Sequence, residues 1–166
     1  MKYLPYEKIN FKTKLSSTEV LAKIETALEP RKMFRGSGFL KAEEHKFFQG
    51  EIRGNTFDMV RIINYRNSFL PQIKGVVSEE NGSSVVTIKL KLTLFTTVFL
   101  CLFCGFLVTF LIAALFVTEQ PDNSISTVFF ALGMLLVVYL MTIIGFKVES
   151  KKVKEYFAKL IAAPTK

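Results

Sequence analysis

Arg61, Arg66 and Asn67 are the residues whose types and spacing best suit holding an anion. Arg61 interrupts an apolar run from Phe57 to Ile63, and Arg66-Asn67 falls where that run bends. Two guanidiniums and a carboxamide offer forked donors for a carboxylate or an anionic head group. The plainer reading makes Asn67-Ser68 a turn and the arginines edge or surface charges. Glu43-Glu44-His45 has residue types used in acid–base work, but in so charged a stretch it reads as a solvated turn. The stretch from Arg31 to Glu44 combines basic side chains with Gly36-Ser37-Gly38, which suits a phosphate. It lacks the Gly-Lys-Ser or Gly-Lys-Thr of a P-loop, so a solvated or membrane-surface loop is expected. Cys101 and Cys104 are separated by two residues, yet structural zinc wants four ligands and the only histidine, His45, is remote. Both read as apolar filler. No nucleophile–base pair, metal set or cofactor fingerprint occurs, so the expectation is a non-enzyme with no cofactor and no metal.

The elements that must position these residues divide sharply by composition. Of 166 residues, the stretch from Thr93 to Phe146 contains no Lys, Arg or His, and its only acids are Glu119 and Asp122. Residues 93–117 form an uncharged run of roughly 38 Å as helix, against a hydrocarbon core of about 30 Å. Residues 125–146 supply about 33 Å more, after a polar turn at 118–124 that contains Pro121. The expected arrangement is a two-helix transmembrane hairpin. Residues 1–92 hold 16 Lys and Arg against 10 acids, and residues 147–166 hold six Lys against two acids. Lys89 and Lys91 abut the first span, and Lys147, Lys151 and Lys152 follow the second. These five are the expected membrane-surface bases. Positive flanks stay inside, so both termini are expected in the cytoplasm and the loop outside. The first residues show no apolar signal core, and no lipidation motif is seen at either end.

Residues 1–92 read as a cytoplasmic α+β domain. Ile9 to Leu15 alternates as a half-buried strand does. Ser16 and Glu19 have capping-box spacing, and Val20, Leu21, Ile24, Ala27 and Leu28 share one helical face up to Glu29-Pro30. From Lys46 an antiparallel meander follows, with turns at Gly54-Asn55, Arg66-Asn67-Ser68 and Asn81-Gly82. Its strands are expected over Thr56 to Tyr65, over Phe69 to Val77, and up to Leu92. In the tail, Val153, Tyr156, Phe157, Leu160 and Ile161 form one face of an amphipathic helix that continues the second span. That face is expected to dock on the meander, the alternative being that it lies in the membrane interface with its lysines on anionic head groups.

The stretches Phe48-Gln49-Gly50-Glu51-Ile52, Phe57 to Arg61 and Tyr65 to Gly75 resemble an uncharacterised family of small bacterial two-span membrane proteins. The resemblance covers most of the chain and implies a bacterial cell membrane location, with no assigned activity. The order strand, helix, antiparallel meander, C-terminal helix also resembles helix-grip and START-like lipid-binding domains, with the spans inserted before the last helix. The expected function is a membrane-anchored cytoplasmic binding module for a lipid, a small ligand or a protein partner. The alternative is an accessory subunit of a larger membrane assembly. Expected partners are membrane lipids, with a protein partner or a homo-oligomer beside them. Inner-leaflet attraction already accounts for the basic charge, so nucleic acid is not expected.

Overall fold

The computed structural model describes residues 3–31, 46–80, 82–116 and 121–162. In chain order the elements are β1 (Tyr6–Thr13), α1 (Ser17–Thr26), β2 (Leu28–Glu29), β3 (Phe48–Arg53), β4 (Thr56–Arg61), β5 (Gln72–Glu80), β6 (Ser83–Lys91), α2 (Leu94–Phe116) and α3 (Pro121–Ala162). The fold is α+β: six strands in one mixed sheet, with three helices, two of them apolar.

Local chemistry sets most of the boundaries. Ser16 caps α1 by accepting from the Glu19 backbone N–H, and the Glu19 carboxylate accepts from Ser16 in return. The helix stops at Thr26, earlier than its apolar face alone suggests. Pro30 pushes the residue before it toward extended geometry, and Leu28–Glu29 becomes a short strand beside β3. The hairpin turns sit where the sequence puts them, with Gly54 at φ +55° and Gly82 at φ +73°. Asn81 lies outside the described residues. β4 ends at Arg61, not Tyr65, and residues 62–71 form a connection with Pro71 just before β5.

The sheet order is β1-β6-β5-β4-β3-β2, antiparallel throughout except for the β2–β3 pair. Six strands therefore stand where the sequence suggests a four-strand meander plus one. Strand β1 pairs with β6 along eight residues. Two glycines let side chains lie flat on the inner face. A Cβ on Gly75 would come within 1.9 Å of the Phe57 ring, and one on Gly50 within 2.2 Å of the Asp58 carbonyl oxygen.

Helix α3 covers that inner face. It is one unbroken helix of 42 residues, roughly 63 Å long at 1.5 Å per residue. It opens with Pro121 at its first position, where a missing N–H costs nothing, so 121–124 belong to the helix and not to the turn. From Ile125 to Phe146 it carries no charged residue. Its last turns direct Val153, Phe157 and Ile161 into the core, with Tyr156 and Leu160 partly buried. Phe157 is fully buried and lies against three rings: Phe11 at 6.4 Å, Phe48 at 5.5 Å and Phe57 at 5.9 Å between centroids. Helix α1 adds Val20 and Ile24 to the same core. The apolar windows Leu94–Ala113 of α2 and the start of α3 are long and apolar enough to cross a membrane, and only 11% of each is buried within the protein.

Phe157→Ala removes the ring at the centre of this aromatic cluster. Truncating a buried Phe costs about 3–5 kcal/mol. The variant should lower the unfolding temperature of the whole sheet domain and raise hydrogen exchange in β3, β4 and β6. Loss of protection confined to residues 153–161 would show that the tail helix is not part of the core.

Candidate functional site

Two polar clusters fasten the sheet to α3, one at each side of the sheet. The first centres on Glu149, a carboxylate only 1% exposed on the sheet-facing side of α3. Arg61, the last residue of β4, donates Nη1 to Glu149 Oε2, and the Tyr65 hydroxyl donates to Glu149 Oε1. Lys152, one turn along α3, reaches Glu149 Oε1 and the Tyr65 hydroxyl at 3.1 Å each. The Arg61 guanidinium also lies 5.0 Å from the centroid of the Phe47 ring, and the Lys152 ammonium 5.4 Å from that of Tyr65. Burial pushes the Glu149 carboxyl up, and the donors from Tyr65, Arg61 and Lys152 reverse this and hold it below the usual carboxylate range.

Below Arg61 the connection from 62 to 71 is pinned to both long helices. Asn67 Nδ2 donates to the Gly145 carbonyl at 3.2 Å, and Asn67 Oδ1 accepts from the Phe69 N–H at 2.9 Å. A Cβ on Gly145 would meet Phe69 at 3.0 Å and Asn67 Oδ1 at 3.3 Å, so glycine permits this approach. Thr96 of α2 donates to the Ser68 carbonyl at 2.9 Å.

The second cluster lies at the β1 edge. Glu7 accepts from Lys147, from Ser150 at 2.7 Å and from Lys154 at 2.8 Å. Burial raises the Glu7 carboxyl, but these three donors outweigh it and bring the group down to about 2.

The three residues singled out for anion binding thus have three different fates. Arg61 is engaged inward with Glu149, and Asn67 clamps the loop to α3. Arg66 is exposed, without a hydrogen bond or ion pair among the described residues. Of the five lysines expected at the membrane surface, Lys147 and Lys152 serve the two clusters, and Lys151 makes a long exposed contact with Glu155 at 4.0 Å. Lys89 and Lys91 point outward from β6. Glu43-Glu44-His45 and Gly36-Ser37-Gly38 lie outside the described residues, and the two cysteines are free.

Glu149, Glu7 and Tyr65 were not legible as site residues. A signal for Glu149 existed: it sits at i−4 from Val153 and i−8 from Phe157, a charge on the apolar stripe.

Beside the Glu149 cluster a cleft of about 680 Å³ opens at the sheet edge. Its lining mixes Phe47, Ile62, Ile63 and Tyr156 with Lys46, Arg61, Asn64 and Tyr65. The Lys46 ammonium caps the carbonyls of Leu28 at 3.1 Å and Glu25 at 3.3 Å. The Nε of Arg61 is buried without a partner among the described residues. Beneath the meander, Phe157 and its ring neighbours pack together in the core.

The Glu7 cluster makes stability depend on acid. A carboxyl at about 2 in the folded chain and near 4.5 when unfolded contributes fully above pH 4.5 and is lost as pH falls toward 2. The contribution is on the order of 3 kcal/mol. Unfolding temperature in a neutral maltoside should therefore drop between pH 4.5 and 2. Glu7→Gln should be less stable at pH 7 and should drop less across that window. Parallel curves for the two proteins would contradict the assignment.

No family profile, no curated protein and no solved structure matches this chain.

Proposed function

We propose that the protein is a membrane-anchored, non-enzymatic binding module of the bacterial cytoplasmic membrane. In this reading α2 and the first part of α3 cross the bilayer as a hairpin. Both termini and the sheet domain lie in the cytoplasm, and residues near Asn123 face outward. The lysine-rich flanks and base-free apolar windows support the orientation. The mostly exposed apolar surface of α2 and α3 supports lipid as their surroundings, since a core helix of a soluble protein would be buried. The element order, with a C-terminal helix across the sheet, supports a helix-grip-like arrangement whose grip is filled by aromatic rings.

The observation that carries the binding role is the cleft beside Arg61. Glu149 and Tyr156, which bracket it on α3, lie roughly 5 and 15 Å beyond Phe146 along the helix. The head-group layer adds about 5–8 Å to each side of the hydrocarbon core, so the cleft opens beside it. Apolar walls with the cationic or donor groups of Lys46, Arg61, Asn64 and Tyr65 suit an anionic amphiphile, and a membrane phospholipid is the one nearest to hand. The reading as an accessory subunit of a larger assembly draws support from the interior beneath the sheet, where Phe157 and its ring neighbours pack together.

Two measurements test this. With Cys101 and Cys104 replaced by alanine, a cysteine introduced at Asn123 should label from outside intact cells. One at Ser83 should label only after permeabilisation, and external labelling at Ser83 would reverse the topology. In native mass spectrometry from mild detergent, the wild-type chain should retain anionic phospholipid, and Ile63→Glu should retain markedly less. A lipid-free wild-type chain carrying a second, different subunit would replace the binding module with the accessory-subunit reading.

A further inference from the structure

One cross-strand row on the outer face of the sheet is sorted by charge. In the observed register Lys8 of β1 stands directly opposite Lys89 of β6, and Lys89 stands directly opposite Lys74 of β5. The same row continues to Asp58 of β4 and Glu51 of β3. Three like charges therefore occupy adjacent positions across three strands, at the roughly 5 Å spacing of direct cross-strand neighbours. Lys12 and Lys91 extend the block along β1 and β6. Lys74 reaches Asp58 at 3.4 Å. Lys8, Lys12, Lys89 and Lys91 are exposed and have no ion pair among the described residues. Directly opposed like charges destabilise a sheet, so this row costs stability in the free protein.

Alongside the row runs a groove of about 380 Å³ whose lining includes Lys74, Lys89, Val76 and Thr87. Val76 is 47% exposed, an apolar patch beside Lys74 and Lys89, and Glu51, Arg53 and Asp58 line the β3–β4 side of the same groove. The direction of this face selects the occupant. Helix α3 packs along the inner face of the sheet and is continuous with its own apolar segment. A helix lying flat on a sheet has its axis in the plane of that sheet, so if α3 crosses the bilayer as proposed above, the outer face looks sideways, parallel to the membrane and not onto it.

The geometry points to an interaction surface for an acidic, extended segment of a protein partner, laid across β1, β6 and β5 with its carboxylates on Lys8, Lys89 and Lys74. The cleft beside Arg61 lies on the other side of the sheet, so this surface stands or falls independently of the lipid site. Acidic side chains relieve the repulsion within the row while an apolar residue between them meets Val76.

The test uses the full chain in phosphatidylcholine nanodiscs and a fluorescein-labelled octaglutamate peptide read by anisotropy. Wild type should bind the peptide in a salt-sensitive manner. Lys8→Gln with Lys89→Gln should weaken binding roughly tenfold or more. Lys151→Gln, on exposed α3, should leave it unchanged. The double variant should unfold at or above the wild-type temperature, because it removes repulsion. Lys8→Glu with Lys89→Glu should lose the octaglutamate and bind an octalysine peptide instead. Unchanged binding by the double glutamine variant overturns the proposal, as does a lowered unfolding temperature, which would mean the lysines are held within the chain. Peptide binding that survives in the double variant while phosphatidylglycerol retention falls would assign the row to the leaflet instead.

Discussion

Helix α3 has to satisfy two environments without a break, and the rest of the structure follows from that constraint. From Ile125 to Phe146 it carries no charged residue; beyond, Ser150, Val153, Phe157 and Ile161 form a stripe that is buried on the sheet. An α-helix turns by about 100° per residue, so one continuous helix fixes the angle between the side facing α2 and the side facing the sheet. The sheet domain cannot rotate about the apolar hairpin unless α3 unwinds. Asn67 on the Gly145 carbonyl and Thr96 on the Ser68 carbonyl add two more points where the loop from 62 to 71 is tied to α3 and α2.

The buried carboxylate at 149 belongs to the same constraint. Removing two charges from water costs several kcal/mol each, and an apolar pair of similar volume often does as well for stability. What Glu149 adds is position. Its oxygens accept from Arg61, Tyr65 and Lys152 together, which fixes the end of β4 and the start of the following loop at one height along the helix. Apolar contacts alone would tolerate a slide by a helical turn, since Phe146, Ser150, Val153 and Phe157 repeat at similar intervals. A single carboxylate met from three directions does not.

Much of the sheet domain was legible because its signals are local. The Ser16–Glu19 box, the glycine turns at 54 and 82, the alternation in β6 and the Val153–Phe157–Ile161 stripe each depend on residues a few positions apart. The errors have the opposite character. A two-residue strand at Leu28–Glu29 has no periodicity to read, and it exists only because β3 lies beside it. Residues 62–65 look like strand because Ile62 and Ile63 are β-branched, yet the chain there leaves the sheet to reach α2 and α3. Arg61 was rightly marked as out of place in an apolar strand, but its partner is 88 residues away and its charge alone could not name Glu149. The same holds for Asn67, whose turn-forming and helix-clamping roles are both present.

The two faces of the sheet carry opposite energetic arrangements. On the inner face every acid described above is answered: Glu149 by three donors, and Glu7 by three more. On the outer face Lys8, Lys89 and Lys74 stand side by side on β1, β6 and β5, and Asp58 and Glu51 follow them on β4 and β3 in the same row. Solubility alone does not ask for this, because alternating signs across strands would serve it and would stabilise the sheet as well. A chain that spends six donors on two buried acids is not short of ways to neutralise charge. The lysine row is therefore a feature left open on the face that α3 does not cover.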